Sequence, residues 1–271
     1  MEVKIMISMP LLKREIKSNY KLFIIFAAVL TMYISVIIPM FDPEIGEALA
    51  EFEKAMPEMM AAFGMSNPGT TLIEFINTYL FGFLFIIFPM IFEIIIANKL
   101  IAKYVDSGSM AYLLATPNKR GKIAITQGVF LLISIGILIA FITLVGIISS
   151  EVYFPGELNI KKYILLNVGL YCLHIAISGL GFFASCISND TKLSYSISAG
   201  IPIGFFIIQL LANMGGRLDN FKYFTIFSLF NTDKLIKGEA SGIWMVIVLL
   251  ILGLVLYIIG IMRFNKRDLP L

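Results

Sequence analysis

Histidine and tryptophan each occur once in this chain, as His174 and Trp244, and cysteine only as Cys172 and Cys186. One histidine rules out an HExxH metal site, and neither a Ser/His/Asp arrangement nor a paired-carboxylate motif suggests hydrolysis. Along one helix the two cysteines would stand about 20 Å apart, beyond disulfide reach. His174 and Cys172 point to different faces, so they do not make a metal pair, and all three read as packing residues. A GxxxxGK[ST] loop is also missing, which excludes the usual phosphate cradle for ATP.

Charge is scarce too, at 14% of residues against 59% hydrophobic, and it avoids long stretches. A helix needs roughly 20 mostly apolar residues to cross ~30 Å of hydrocarbon. Such runs occupy 22–41, 75–97, 123–150, 163–189, 193–216 and 240–262. The expected fold is all-α and integral to the membrane, with six spans in a single domain over 1–271. The fourth and fifth spans are separated only by Asp190, Thr191 and Lys192, the tightest turn in the chain.

The basic residues divide unevenly between the two sides. Fourteen belong to the N-terminus, the 98–122 loop, Lys192 and the tail, and seven to the opposite loops. The excess predicts cytoplasmic N- and C-termini. It accounts for the net charge of +3 and leaves nothing for a nucleic-acid partner to explain. No cleavable signal peptide is expected, because a basic, helix-forming lead precedes the first run.

Residues 1–21 have the pattern of an interfacial helix. Met9, Leu12, Ile16 and Tyr20 form one stripe, and Lys13, Arg14, Lys17 and Lys21 face away from it. Beyond the first span, Glu44 to Phe63 is helical by pattern, with Pro57 expected to bend or split it. The second span carries Tyr79, Phe83, Pro89 and Glu93. Glu93 is the one carboxylate well inside a run, placed near the cytoplasmic end within reach of water, Asn98 or Lys99. In the fifth span Gly200 and Gly204 flank Pro202, a pattern for close helix approach and a kink. The outer loop at 217–242 is unusually apolar and could dip into the membrane as re-entrant helices.

The 98–122 loop holds the most informative polar stretch. Asp106 or Ser107 can cap a short helix whose Met110, Leu113 and Leu114 fall at i, i+3 and i+4. Thr116, Pro117 and Asn118 then stop it. Two readings fit this stripe equally: a partner docks on it, or it lies on headgroups and the protein's own loops.

Taken in order, these features resemble the ABC type-2 permeases, the membrane halves of ATP-driven exporters. The resemblance covers the whole chain. It rests on the lead helix, six spans, the segment SGSMAYLLATPNKRGK at 107–122, FSLFNTDKLIKGEASG at 227–242 and the tail RFNKRDL. The first of these segments is similar to the family's coupling helix. Where many members carry an acidic residue before the leucine pair, Ala111 and Tyr112 stand here.

The resemblance implies a separate cytoplasmic ATPase that binds ATP and Mg, and a second permease copy, identical or related. Ser107, Met110, Tyr112, Leu113 and Leu114 would meet the ATPase, with Lys13 and Arg14 of the elbow helix nearby. The substrate path would run between two permeases, with Tyr79, Phe83, Pro202 and Phe206 in its wall. The small Gram-positive members closest in style include exporters of amphipathic peptide toxins such as phenol-soluble modulins, and peptide-antibiotic immunity pumps, so the implied cargo is an amphipathic or hydrophobic molecule. Two other readings remain: an ion-coupled carrier or channel using Glu93, and a membrane scaffold that transports nothing.

Overall fold

Backbone polar groups in hydrocarbon must bond within their own segment, so the apolar runs fold as helices. The computed structural model describes residues 7–42, 56–62, 70–116 and 119–269. Helix α1 (Met9–Ile37) closes in a 3-10 turn at Ile38–Met40, and α2 is short (Pro57–Ala62). The second span comprises α3 (Leu72–Ile76), a π-helical segment (Asn77–Leu84) and α4 (Phe85–Leu100). Helices α5 (Ala102–Asp106) and α6 (Ser109–Leu114) lead to α7 (Arg120–Tyr153), α8 (Ile160–Ile187) and α9 (Thr191–Asn213). After 3-10 turns at Gly216–Phe224 and Phe227–Leu229 come α10 (Thr232–Lys237) and α11 (Ala240–Lys266).

Among the described residues, six helical stretches are long and apolar enough to cross a membrane, and no strand occurs. They run Met9–Met40, Leu72–Asp106, Arg120–Tyr153, Ile160–Ile187, Thr191–Asn213 and Ala240–Lys266. Each contains or overlaps one expected run. The short turn between the fourth and fifth also holds, and the Asp190 carboxylate caps α9 by accepting from Leu193 N at 2.7 Å.

Several local expectations change. The basic lead is helical, as expected, but continues into the first span without a break. Its inward face is Leu11, Glu15 and Asn19, at i, i+4 and i+8, while Met9, Ile16 and Tyr20 face outward. Most of Glu44–Phe63 lies outside the described residues. Pro57, where it is described, opens α2, since a first-turn proline gives up no helical N–H. The apolar outer loop folds as two 3-10 turns and α10, with Phe227, Phe230, Leu235 and Ile236 buried.

The fourth span is the centre of the bundle. Its most apolar window is 78% buried, against 22% for the first, fifth and sixth spans. Helix α11 crosses it so closely that a Cβ at Gly253 would lie 2.6 Å from the backbone of Ile175, and one at Gly179 2.8 Å from Gly253 O. Gly200 and Gly204, by contrast, have nothing within 4 Å of their Cβ positions among the described residues. Helix α9 passes through Pro202 as one element.

One end of the bundle is stapled by hydrogen bonds. Ser8 N donates to Thr126 Oγ1 at 2.8 Å, and Thr191 Oγ1 to Asp106 Oδ2 at 2.7 Å. Arg267 Nη1 donates to Ser188 O at 2.9 Å, and Arg120 Nη1 to Arg267 O at 2.8 Å. Burial holds the Arg267 guanidinium below the usual arginine range. This end gathers the start of α1, α5, the start of α7, the α8–α9 turn and the tail, the regions that carry most of the basic residues.

Candidate functional site

The basic end is built around a short polar loop. After α4, Ile101 departs from helical geometry (φ −126°, ψ −55°) and α5 begins. Gly108 then adopts φ +69°, the left-handed region that favours glycine, and turns the chain into α6. Asp106 closes α5 and does not cap α6. The Ser107 hydroxyl donates to Lys103 O at 2.8 Å and lies 2.8 Å from Ser109 Oγ, within the loop itself.

The expected stripe divides. Met110 is fully buried and belongs to the core, so it cannot enter a groove on a partner while the loop keeps this fold. Leu113 and Leu114 are half-buried against the core, and Tyr112 projects outward at 81% exposure. Tyr112, with Ala111 beside it, is therefore the outward face.

Lys13 and Arg14 are exposed on α1, and the Arg14 guanidinium stands 5.4 Å over the Tyr104 ring. Beneath them lies a group the sequence reading missed. Glu15, only 2% exposed, accepts from Tyr104 Oη at 2.7 Å and from Gln127 Nε2 at 3.0 Å. Asn19 Nδ2 donates to Glu15 O at 3.0 Å. This carboxylate ties α5 to both α1 and α7. The signal was available, since Leu11, Glu15 and Asn19 share one face of α1.

At the opposite end a cavity of about 630 Å³ opens between the second span, α9 and the turns at Gly216–Phe224 and Phe227–Leu229. Glu74 begins the second span by a capping box, its Oε2 accepting from Thr70 N at 3.1 Å and Thr71 N at 3.2 Å. The π segment then presents Asn77, Thr78 and Phe81 to the cavity. Segments of this kind recur at functional sites. Asn77 Nδ2 donates to Asp233 Oδ1 at 3.3 Å, while Asn77 Oδ1 and Gln209 Oε1 are buried acceptors without a partner among the described residues. Lys222, at the rim, donates to Asp219 at 2.6 Å, and that bond raises its ammonium pKa.

Of the expected substrate wall, Phe206 lines this cavity and packs on Phe227 at 5.5 Å. Phe83 stands behind it, 5.8 Å from the Phe206 ring. Tyr79 and Pro202 do not reach the cavity: Tyr79 stacks on Phe75 at 4.6 Å, and Pro202 is buried along α9.

The second span also corrects the placement of Glu93. It is fully buried and lies 3.2 Å from His174 Nδ1, away from water and Lys99. His174 is more than a packing residue, since its Nε2 is 2.9 Å from Phe85 O. Asn98 instead donates to Ser198 Oγ and Ile94 O, both at 2.7 Å. Cys172 and Cys186 are buried and unbridged, as expected.

A family model described as "ABC-2 family transporter protein" matches residues 10–269. The chain belongs to the ABC-2 transporter family. No curated protein and no solved structure matches it. ABC-2 permeases are membrane transport components, not themselves catalytic, and normally work with a cytoplasmic ATPase. In this ABC-2 permease the loop from Ser107 and the cavity lie at opposite ends of the second span, Leu72–Asp106.

Proposed function

We propose that this ABC-2 permease is half of an ATP-driven exporter that carries amphipathic or hydrophobic molecules, peptide toxins or peptide antibiotics above all, out of the cell. A separate ABC ATPase binds ATP and Mg and docks at the basic, cytoplasmic end. A second permease copy, identical or closely related, completes the path. The observation that carries this reading is the projection of α6 and Tyr112 from the basic end of an ABC-2 permease. Leu113 and Leu114 support the docking face from beside it, with Lys13 and Arg14 at its edge.

The choice of cargo is supported by the mixed character of the outer cavity, where Phe206, Phe227 and Phe230 meet Asn77, Gln209 and Asp233. An amphipathic molecule has one part for each. The test is co-expression with an ABC ATPase encoded beside this chain, followed by copurification and ATP hydrolysis in lipid with a cationic amphipathic peptide. The natural complex should hold and respond to peptide, and Y112A or L113D should weaken it. If no ATPase copurifies, or neither substitution changes the association, the coupling assignment is wrong.

A further inference from the structure

Pro89 stands inside α4, and a proline has no N–H to donate. In an α-helix the carbonyl deprived by it belongs to the residue four positions earlier, which is Phe85. That carbonyl lies within a membrane span, where water is not at hand to take over. It also sits at a joint. The Phe85 N–H closes the π segment on Leu80 O and Phe83 O, so Phe85 ends the wide turns and begins the regular helix.

We propose that His174, held by Glu93, is a positioning residue that supplies the hydrogen bond Pro89 withholds from Phe85 and thereby keeps the π segment in register.

The geometry fixes most of the proton inventory. A carbonyl only accepts, so the Nε2 that lies 2.9 Å from Phe85 O carries a hydrogen. Nδ1 then faces Glu93 Oε1 at 3.2 Å across one further proton. If that proton is on Nδ1, an imidazolium meets a carboxylate; if on Glu93, a carboxylic acid donates to a neutral ring. The pair has no net charge in either case, which suits two side chains at 0% and 1% exposure. Glu93 has no Lys or Arg partner among the described residues, and its Oε2 is unbonded. Among the described residues, Tyr257 of α11, which donates to Ser178 Oγ at 2.9 Å, lies close enough to Glu93 to interact with it electrostatically.

Phe85, Pro89 and Glu93 fall at i, i+4 and i+8, one face of α4 turned toward the central α8. The clamp therefore joins the irregular part of the second span to the most buried helix of the bundle. Without it, the wide turns would be free to relax toward ordinary α-helical register, rotating Asn77, Thr78 and Phe81 out of the cavity wall. The helix joint stands independently; its consequence for cargo rests on the exporter reading above.

The test uses the whole chain in detergent. H174L should lower the unfolding temperature, and H174Q, whose amide retains an N–H donor, should restore much of the loss. On the P89A background, which returns an N–H to Phe85 O, H174L should cost clearly less. E93Q should be tolerated, because its amide can donate to Nδ1. The chain has one histidine, so its imidazole 15N signals report on this site alone. They should show a protected Nε2–H that exchanges slowly with solvent, as a buried donor to Phe85 O requires. In the ATPase complex, H174L should raise the peptide concentration needed for half-maximal stimulation, and H174Q should reverse that shift.

An equal loss from H174L on both backgrounds, or an Nε2–H that exchanges as freely as one in water, overturns the proposal. Peptide stimulation that is absent even in the natural complex refutes the exporter reading and leaves the helix-joint result standing.

Discussion

Replacing Gly253 by alanine tests the packing of the bundle at its tightest point. The added Cβ would lie 2.6 Å from the carbonyl carbon and oxygen of Ile175, about 0.8 Å short of ordinary contact. Both are backbone atoms of α8, so no change of rotamer relieves the clash, and α11 has to withdraw. Overpacking of this kind costs about 1–3 kcal/mol. Gly200→Ala is the internal control. Nothing lies within 4 Å of its Cβ position, and alanine in a helix interior gains about 0.5–1 kcal/mol over glycine. Thermal unfolding in detergent, read as loss of the monodisperse peak, should place G253A well below the parent and G200A at or above it. The G179A/G253A pair should lose less than the sum of its members, because one outward shift of α11 accommodates both. If G253A melts with the parent, the close crossing of the fourth and sixth spans is wrong.

Met110 and Tyr112 should separate stability from coupling. M110A removes a fully buried core side chain and should cost about 2–5 kcal/mol. Y112A, in contrast, should leave the unfolding temperature unchanged and reduce ATPase copurification. Glu15→Leu strands the buried Gln127 amide, a penalty of about 1–3 kcal/mol, and the half-buried Tyr104 hydroxyl, while E15Q keeps an acceptor and should lose less by the same thermal assay. Asp233→Ala, at the exposed rim of the outer cavity, should preserve stability and shift the peptide concentration that stimulates the ATPase complex. An unchanged peptide response would remove Asp233 from the site.

The six spans were legible from run length, and Asp190, Thr191 and Lys192 marked the one tight turn, although the cap by Asp190 showed only in the structure. The short helix in the 98–122 loop was legible in outline from its leucine pair and the Thr116-Pro117-Asn118 stop. Its orientation was not, because the spacing of Met110, Leu113 and Leu114 defines a face without saying whether protein or solvent lies against it. The π segment left no trace either: Asn77–Leu84 spans only eight residues, too few for a change of helical period to show in the pattern. Glu93 and His174 looked like isolated oddities in two different spans. Their meaning depended on which helices are neighbours, yet the spacing of Phe85, Pro89 and Glu93 already named the face to inspect.

Helix α1 has 29 residues and so measures about 43 Å at 1.5 Å per residue. The hydrocarbon layer is only ~30 Å thick, so the helix must lean or reach into the headgroups. Being one unbroken rod, it has no joint in which to absorb a change of angle. A thinner bilayer that tips it further would swing the basic end with Glu15 and the far end at Ile38 together, making lipid thickness a mechanical input to the loop that Glu15 holds.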